Sequence, residues 1–340
     1  MKQSMKKLVC ILLAAALLLM LAACSGASEE APENTAASAS LDAGKSLTTD
    51  NIKIAYVAAD LGTENNQKWD QGCQEALSGY GDRVTYTSWD CKSDASTQNQ
   101  IIEELIAQEY DGIFLHAVDG SAVAASVKKA EEAGVNVVTI NLNVDTAYTA
   151  HIGAPNYDSG VTMGRKLAEM MGGKGGMVMI GPPVAFAEVI QTDDAIIDTL
   201  EAEYPNITMY EEVSGDWSTE SGNQIMRDFI TKYGADKINC VWCCNDGMAL
   251  GALQALEAAG MKDVIVTGTD GSDAALESIA NGGMTLTMLT ESVVNAKVGC
   301  CILMEAIATG VRGCDLAETP QLMLEMTAVT AENVSTYYHP

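Results

Sequence analysis

Between residues 51 and 290, short apolar runs alternate with segments whose apolar positions recur every three or four residues. The runs are IKIAYVA (52–58), RVTYTSW (83–89), GIFLHA (112–117), VNVVTI (135–140), GMVMIG (176–181), ITMYEEV (207–213), NCVWCC (239–244), VIVTGT (264–269) and MTLTML (284–289). Each reads as a strand, and those that are apolar throughout read as strands buried on both faces. Between them, Ile101, Ile102, Leu105 and Ile106 mark one helical face, Val123, Val127 and Ala130 a second, and Ala249, Leu253 and Leu256 a third. Strand and helix in alternation predict parallel sheets with helices on both faces, because a parallel connection needs a crossover.

The rhythm breaks once, at DTAYTAHIGAPNYDSG (145–160), where the chain is expected to cross from one lobe to a second. The predicted fold is α/β, with two Rossmann-like lobes, each a doubly wound parallel sheet, joined by a multi-segment hinge. The first lobe is assigned residues 51–154 plus 292–320 and the second 155–291 plus 321–340. In open parallel sheets, ligands sit outside the carboxyl ends of the strands. The residues just past those ends include Asn65, Asn66, Asn141, Phe186, Gln191, Trp217, Asn245, Asp270 and Glu291, with Asp60, Asp216, Asp246 and Thr290 beside them. The set is mostly amides and carboxylates with one indole. For any one Asp or Asn at such a joint, capping the next helix is the competing role.

The N-terminus changes the expected location. Lys2, Lys6 and Lys7 precede an apolar run from Leu8 to Met20, too short for a comfortable membrane span, so residues 1–23 read as a signal peptide. Leu21-Ala22-Ala23-Cys24 resembles the lipobox of bacterial lipoproteins, which implies that Cys24 is lipidated and anchors the chain to the outer face of the cytoplasmic membrane. Residues 24–50, rich in Ala, Ser, Thr and acids and without apolar periodicity, read as a flexible linker.

Charge narrows the partners. The chain has 340 residues, 48% of them apolar, with 19 Lys plus Arg against 46 Asp plus Glu; removing residues 1–23 shifts the formal charge from -27 to -30. Nucleic acid is excluded as a partner, because phosphate binding depends on clustered Lys and Arg. His116, His151 and His339 are too scattered for a zinc site, and Cys240, Cys243 and Cys244 in a buried strand read as small apolar residues, so neither metal nor cofactor is expected. No G-x-S-x-G or HExxH occurs and the glycines at 172–176 lack P-loop spacing, so an enzyme is not expected.

Cys244-Asn-Asp-Gly-Met-Ala-Leu-Gly251, Val266-Thr-Gly-Thr-Asp-Gly271, Tyr110-Asp-Gly-Ile-Phe114 and Val329-Thr-Ala-Glu-Asn-Val334 together resemble the type I periplasmic binding proteins of the ribose and galactose class, over roughly residues 51–340. The resemblance implies a monomeric, non-catalytic receptor that closes two lobes on a small molecule and docks on the permease subunits of an ABC importer. It carries that family's ligand-contacting Asn onto Asn245, its Asp onto Asp270, its second-lobe aromatic onto Trp217 and a polar contact onto Glu291. Asn141-Leu142 stands where the family often has Asp-Arg. Ala185 to Asp193 replaces an arginine-rich segment and leaves Phe186 and Gln191 as candidate contacts. Gly62 to Trp69, with Asn65 and Asn66, replaces paired aromatics. With those arginines absent and Asp270 and Glu291 present, an anionic ligand would meet uncompensated repulsion, so a neutral sugar-like ligand is expected. Nucleoside or amine-bearing ligands, and a receptor signalling to a sensor kinase or chemoreceptor, are the alternatives.

Overall fold

The computed structural model describes residues 44–47, 50–154, 156–183 and 187–339. The expected signal peptide, Cys24 and most of the linker lie outside the described residues, as does Phe186.

Two six-stranded sheets organise these residues. The first contains β1 (Ile52–Ala58), β2 (Val84–Asp90), β3 (Gly112–Leu115), β4 (Asn136–Ile140), β5 (Ala150–Gly153) and β11 (Gln321–Met323), in the order β11-β5-β4-β3-β1-β2. The second contains β6 (Gly175–Gly181), β7 (Ile207–Ser214), β8 (Cys240–Cys243), β9 (Ile265–Asp270), β10 (Leu286–Leu289) and β12 (Thr327–Thr330), in the order β12-β10-β9-β8-β6-β7. All pairings are parallel except β10 with β12.

The helices are α1 (Glu64–Ser78), α2 (Ala95–Ala107), α3 (Gly120–Glu132), α4 (Asn156–Met170), α5 (Ala187–Glu203), α6 (Thr219–Tyr233), α7 (Asp246–Ala258), α8 (Asp273–Ala280) and α9 (Ser292–Thr309). Each sheet is buried on both faces. Along β1, Ile52, Ile54, Tyr56 and Ala58 pack into the core under α1 and α9, whereas Ala55 and Val57 face the core formed with α2 and α3. Along β8, Cys240 and Trp242 join one core and Val241 and Cys243 the other, with burial pushing the Cys240 thiol up to about 12. This period of two is why NCVWCC reads as continuously apolar.

Short polar residues start the helices at the strand ends. Asp94 accepts from Thr97 N at 2.5 Å, Asp119 from Ala122 N at 2.8 Å, and Ser218 from Ser221 N at 3.1 Å. Side chains are excluded where α6 and α7 meet: a Cβ on Gly222 would lie 2.2 Å from Met248 O, and one on Gly251 2.0 Å from Thr219 O.

Three short strands depart from the sequence reading. β5 lies inside the apparent interruption and extends the first sheet, so the first crossing begins only after Gly153. β11 pairs with β5, which places Gln321–Met323 in the first sheet and corrects the expected boundary at 321; the final crossing runs through Leu324–Met326 to β12. The remaining crossing is Thr290–Glu291, between β10 and α9, and α9 returns to pack on α1, β3 and β4.

Candidate functional site

The carboxyl ends of the two sheets and the three crossings enclose a cavity of about 330 Å³. Every crossing contributes to it: Ala154 from the first, just past Gly153 at the end of β5, Thr290 from the second, and Leu324, Glu325 and Met326 from the third. A cavity bounded by all the connections between two bodies changes shape whenever they rotate about those connections.

The first-lobe wall is built on a buried polar network. Asn66, 4% exposed, sits in the first turn of α1, where its Oδ1 accepts from Tyr56 OH at 2.7 Å and lies 2.9 Å from His116 Nδ1. His116 follows the end of β3; its ring meets Trp69 edge-on at 4.8 Å, and burial pulls its imidazole down to about 4, so the ring is neutral. Asn141 follows β4 and places Nδ2 3.4 Å from His116 Nε2. Asn65 is tied by a short hydrogen bond to the Ser292 hydroxyl at the start of α9.

The second-lobe wall carries Trp217, Asn245, Asp270, Asp193 and Trp242. Asn245 caps α7, accepting from Met248 N at 3.0 Å, while its Nδ2 donates to Trp217 O at 3.0 Å. Capping and lining the cleft are thus both true of this residue, and the amide ties the aromatic loop to α7. Asp246, beside it, is turned inward and accepts from Thr287 Oγ1 and Ser272 N at 2.7 Å each. Burial raises its carboxyl to about 6, so it is a brace of the second lobe. Burial, then the nearby Asp246 and Glu64, push the Asp270 carboxyl well above the usual range.

Four of the cleft residues hold a left-handed backbone without being glycine: Ser93 (φ 57°), Asn141 (φ 68°), Trp217 (φ 72°) and Asp270 (φ 119°). Such conformations cost of order 1–3 kcal/mol each and concentrate where a side chain must be aimed. The lining also lacks balancing cations: Asp60, Asp193, Asp216, Asp270 and Glu325 contribute carboxyls, and among the described residues no Lys or Arg lines the cavity. Among the described residues, no group of three or more His, Cys, Asp or Glu is placed to hold a metal ion.

Six of the expected contacts, Asn65, Asn66, Asn141, Trp217, Asn245 and Asp270, are brought together here. Two are not. Glu291 is exposed at the residue preceding α9, because the chain turns at Thr290 and it is Thr290 that faces the cavity. Gln191 is exposed on α5, and the next two positions, Thr192 and Asp193, face inward instead. Sequence reasoning passed over His116, Trp69, Trp242 and Asp193. His116 was within reach of the strand-end rule, since it directly follows β3.

A family model described as "Periplasmic binding protein domain" matches residues 54–310. The chain is 29% identical over 274 residues to a fructose import binding protein of Bifidobacterium longum, covering 76% of this chain and 80% of that one. It is 28% identical over 243 residues to a xylitol-binding protein of Mycolicibacterium smegmatis, covering 71% and 67%. Among solved structures, an ABC transporter solute binding protein from Actinobacillus succinogenes with bound D-allose superposes with a TM-score of 0.77 at 22% identity, over 84% of this chain and all of that one. One from Bacillus halodurans with bound myo-inositol gives 0.76 at 22% identity, over 85% and 98%.

Proposed function

Since the chain belongs to the periplasmic binding protein domain family, we propose that it captures a neutral, sugar-like polyol between its two lobes and delivers it to the permease of an ABC importer. The observation that carries this reading is the cavity itself. It lies at the carboxyl ends of both sheets and is bounded by all three crossings. Its lining holds amides, carboxyls and indoles and, among the described residues, no Lys or Arg. Carboxylates and amide oxygens accept from hydroxyls, and an indole covers the C–H face of a sugar or cyclitol. The names of the relatives, which include xylitol and fructose binders, support the same ligand class.

Asn66, Asn141, Trp217 and Asp270 are the ligand contacts in this reading, with Asn65 and Asn245 holding the wall around them. Glu291 and Gln191 are not, because both point elsewhere. Residues 1–23 direct export and Cys24, once lipidated, tethers the mature protein to the membrane surface.

Calorimetric titration with a panel of neutral polyols, read together with small-angle scattering, tests the proposal. Binding accompanied by compaction of the scattering profile is expected. Tight binding of only a phosphorylated or carboxylate compound, or binding without compaction, would overturn it.

A further inference from the structure

The polarity of the first-lobe wall can be traced, hydrogen by hydrogen, from a main-chain carbonyl to the cleft. Thr63 Oγ1 donates to Asp60 O at 3.1 Å, and a carbonyl oxygen can only accept. The hydroxyl hydrogen is thereby used, so Thr63 Oγ1 is the acceptor for Asn66 Nδ2 at 2.7 Å. That sets the Asn66 amide with its oxygen facing Tyr56 OH and His116 Nδ1, both of which must donate. A neutral imidazole has one hydrogen; with it on Nδ1, Nε2 is left as an acceptor. The group facing Nε2 is therefore the Asn141 amide nitrogen, 3.4 Å away. Asn141 is exposed at the cleft surface, and its Oδ1 has no partner among the described residues.

We propose that this relay makes Asn141 a one-way acceptor, with His116 as its positioning residue, so that the cleft selects a ligand presenting a hydrogen-bond donor, a hydroxyl or an ammonium, to Asn141 Oδ1. The inference rests on the ligand-capture reading above and sharpens it. An unconstrained Asn can turn over and offer either end of its amide to a ligand. Here a flip would set the Asn141 oxygen against the lone pair of His116 Nε2, and correcting that would require reversing His116, Asn66 and Thr63 in turn. The opposite wall presents Asp270, whose carboxyl keeps an accepting oxygen in either protonation state, so both sides of the cleft can accept from the donors of the ligand. The left-handed backbone at Asn141, φ 68°, is the local distortion that aims the side chain between His116 and the cavity.

The test uses xylitol, D-fructose, D-ribose, D-allose and myo-inositol, and, for whichever the wild type binds, analogues with single hydroxyls replaced by fluorine, which keeps the bulk and removes the donor. In the wild type one such replacement should lower affinity tenfold or more. His116→Phe, which keeps the ring edge on Trp69 but has no nitrogen, should bind the parent polyol at least tenfold more weakly and be indifferent to fluorine at that position. His116→Gln, whose amide can donate to Asn66 and accept from Asn141, should recover most of the loss. Thr63→Val, an exposed change that removes the first link, should weaken binding several-fold with the fold intact. Replacing the sensitive hydroxyl by an amino group distinguishes the donor classes: retained or tighter binding assigns an ammonium, and rejection assigns a hydroxyl. Wild-type affinity in His116→Phe, or an equal fluorine penalty in both proteins, overturns the relay. A wild-type protein that binds none of the five polyols instead overturns the capture reading.

Discussion

Trp242 Nε1 donates to Asp193 Oδ1 at 2.6 Å behind the second-lobe wall, and the other carboxyl oxygen, Asp193 Oδ2, has no hydrogen-bond partner among the described residues. Both side chains are withdrawn from water and both belong to the cavity lining. Burial, reinforced by the charges of Glu212 and Asp194, pushes the Asp193 carboxyl well above its usual range. The second lobe thus contains a carboxyl whose neutral form is favoured and to which the Trp242 indole donates.

Trp242→Phe removes that hydrogen bond while keeping an aromatic ring in the core, and leaves a buried carboxyl with one partner fewer. The expected loss is about 1–3 kcal/mol of stability, read as a lower thermal midpoint. Asp193→Asn acts through pH. Because the folded-state value is raised, the stability associated with Asp193 is full below the ordinary carboxyl range, where folded and unfolded chains both carry the proton. It is lost as pH rises through the raised value. The variant should therefore lose less stability than the wild type between acid and alkaline pH; parallel profiles for the two proteins would count against a buried, protonated Asp193.

The lobes were legible in the sequence because parallel strands buried on both faces are written as unbroken apolar runs, and NCVWCC is the plainest of them. β5, β11 and β12 were not, since strands of three or four residues are specified by the partners they extend. Ala150–Gly153 becomes a strand through pairing with β4 and β11. At the cavity, the strand-end rule picks out Asn141, Trp217 and Asp270 as lining positions because each joint is local in sequence. Gln191 failed by one helical step of about 100°, which the sequence could not phase without knowing where α5 begins. Asp193 gave no signal, because its environment is created by Trp242, 49 residues away.

Anionic ligands should be rejected. Of the carboxyls that line the cavity, burial favours the neutral form of Asp193 and Asp270; Asp60, Asp216 and Glu325 remain, with no Lys or Arg beside them among the described residues, so a phosphate or carboxylate meets like charge in a confined space, which costs several kcal/mol. A sugar phosphate should bind at least about a hundredfold more weakly than its parent sugar, by titration of both on the same preparation. Equal affinities would mean that a cation enters with the ligand.

Lys68 on α1 pairs with Glu64 at 2.7 Å and reaches across to Asp273 at 3.2 Å, and Glu64 Oε1 accepts from Asp273 N at 3.0 Å. These contacts join the first lobe to the start of α8 in the second. Near-surface pairs contribute about 0.2–1 kcal/mol, so Lys68→Ala should weaken ligand binding by no more than about fivefold. Salt should screen the wild-type contact and bring its affinity down toward that of the variant. A salt-independent gap between the two proteins would point to packing by the Lys68 stem instead.

Cys24→Ala removes the only thiol in the lipobox-like Leu21–Cys24 segment. Two or more acyl chains hold a protein stably at a bilayer where one does not, so the variant should move from the membrane fraction to the soluble or secreted fraction with its ligand affinity unchanged. A variant that still sediments with membranes would assign anchoring to another segment.

Trp217 gives the most direct test of the ligand wall. Its backbone is held at φ 72° and its carbonyl is tied to Asn245 Nδ2, so the loop geometry is fixed through the main chain, and the residue lines the cavity. Trp217→Ala keeps the carbonyl tie and the same left-handed backbone, and should weaken binding by about 1–3 kcal/mol, the contribution expected of a stacked aromatic face. Trp217→Phe should restore a good part of this, because a flat ring remains. Asn245→Ala separates the two roles: it removes the cap of α7 and should cost roughly 1 kcal/mol of stability, while also loosening the loop that presents the indole. If Trp217→Ala lowers the thermal midpoint yet leaves affinity unchanged, the indole belongs to the second-lobe core it touches and not to the ligand.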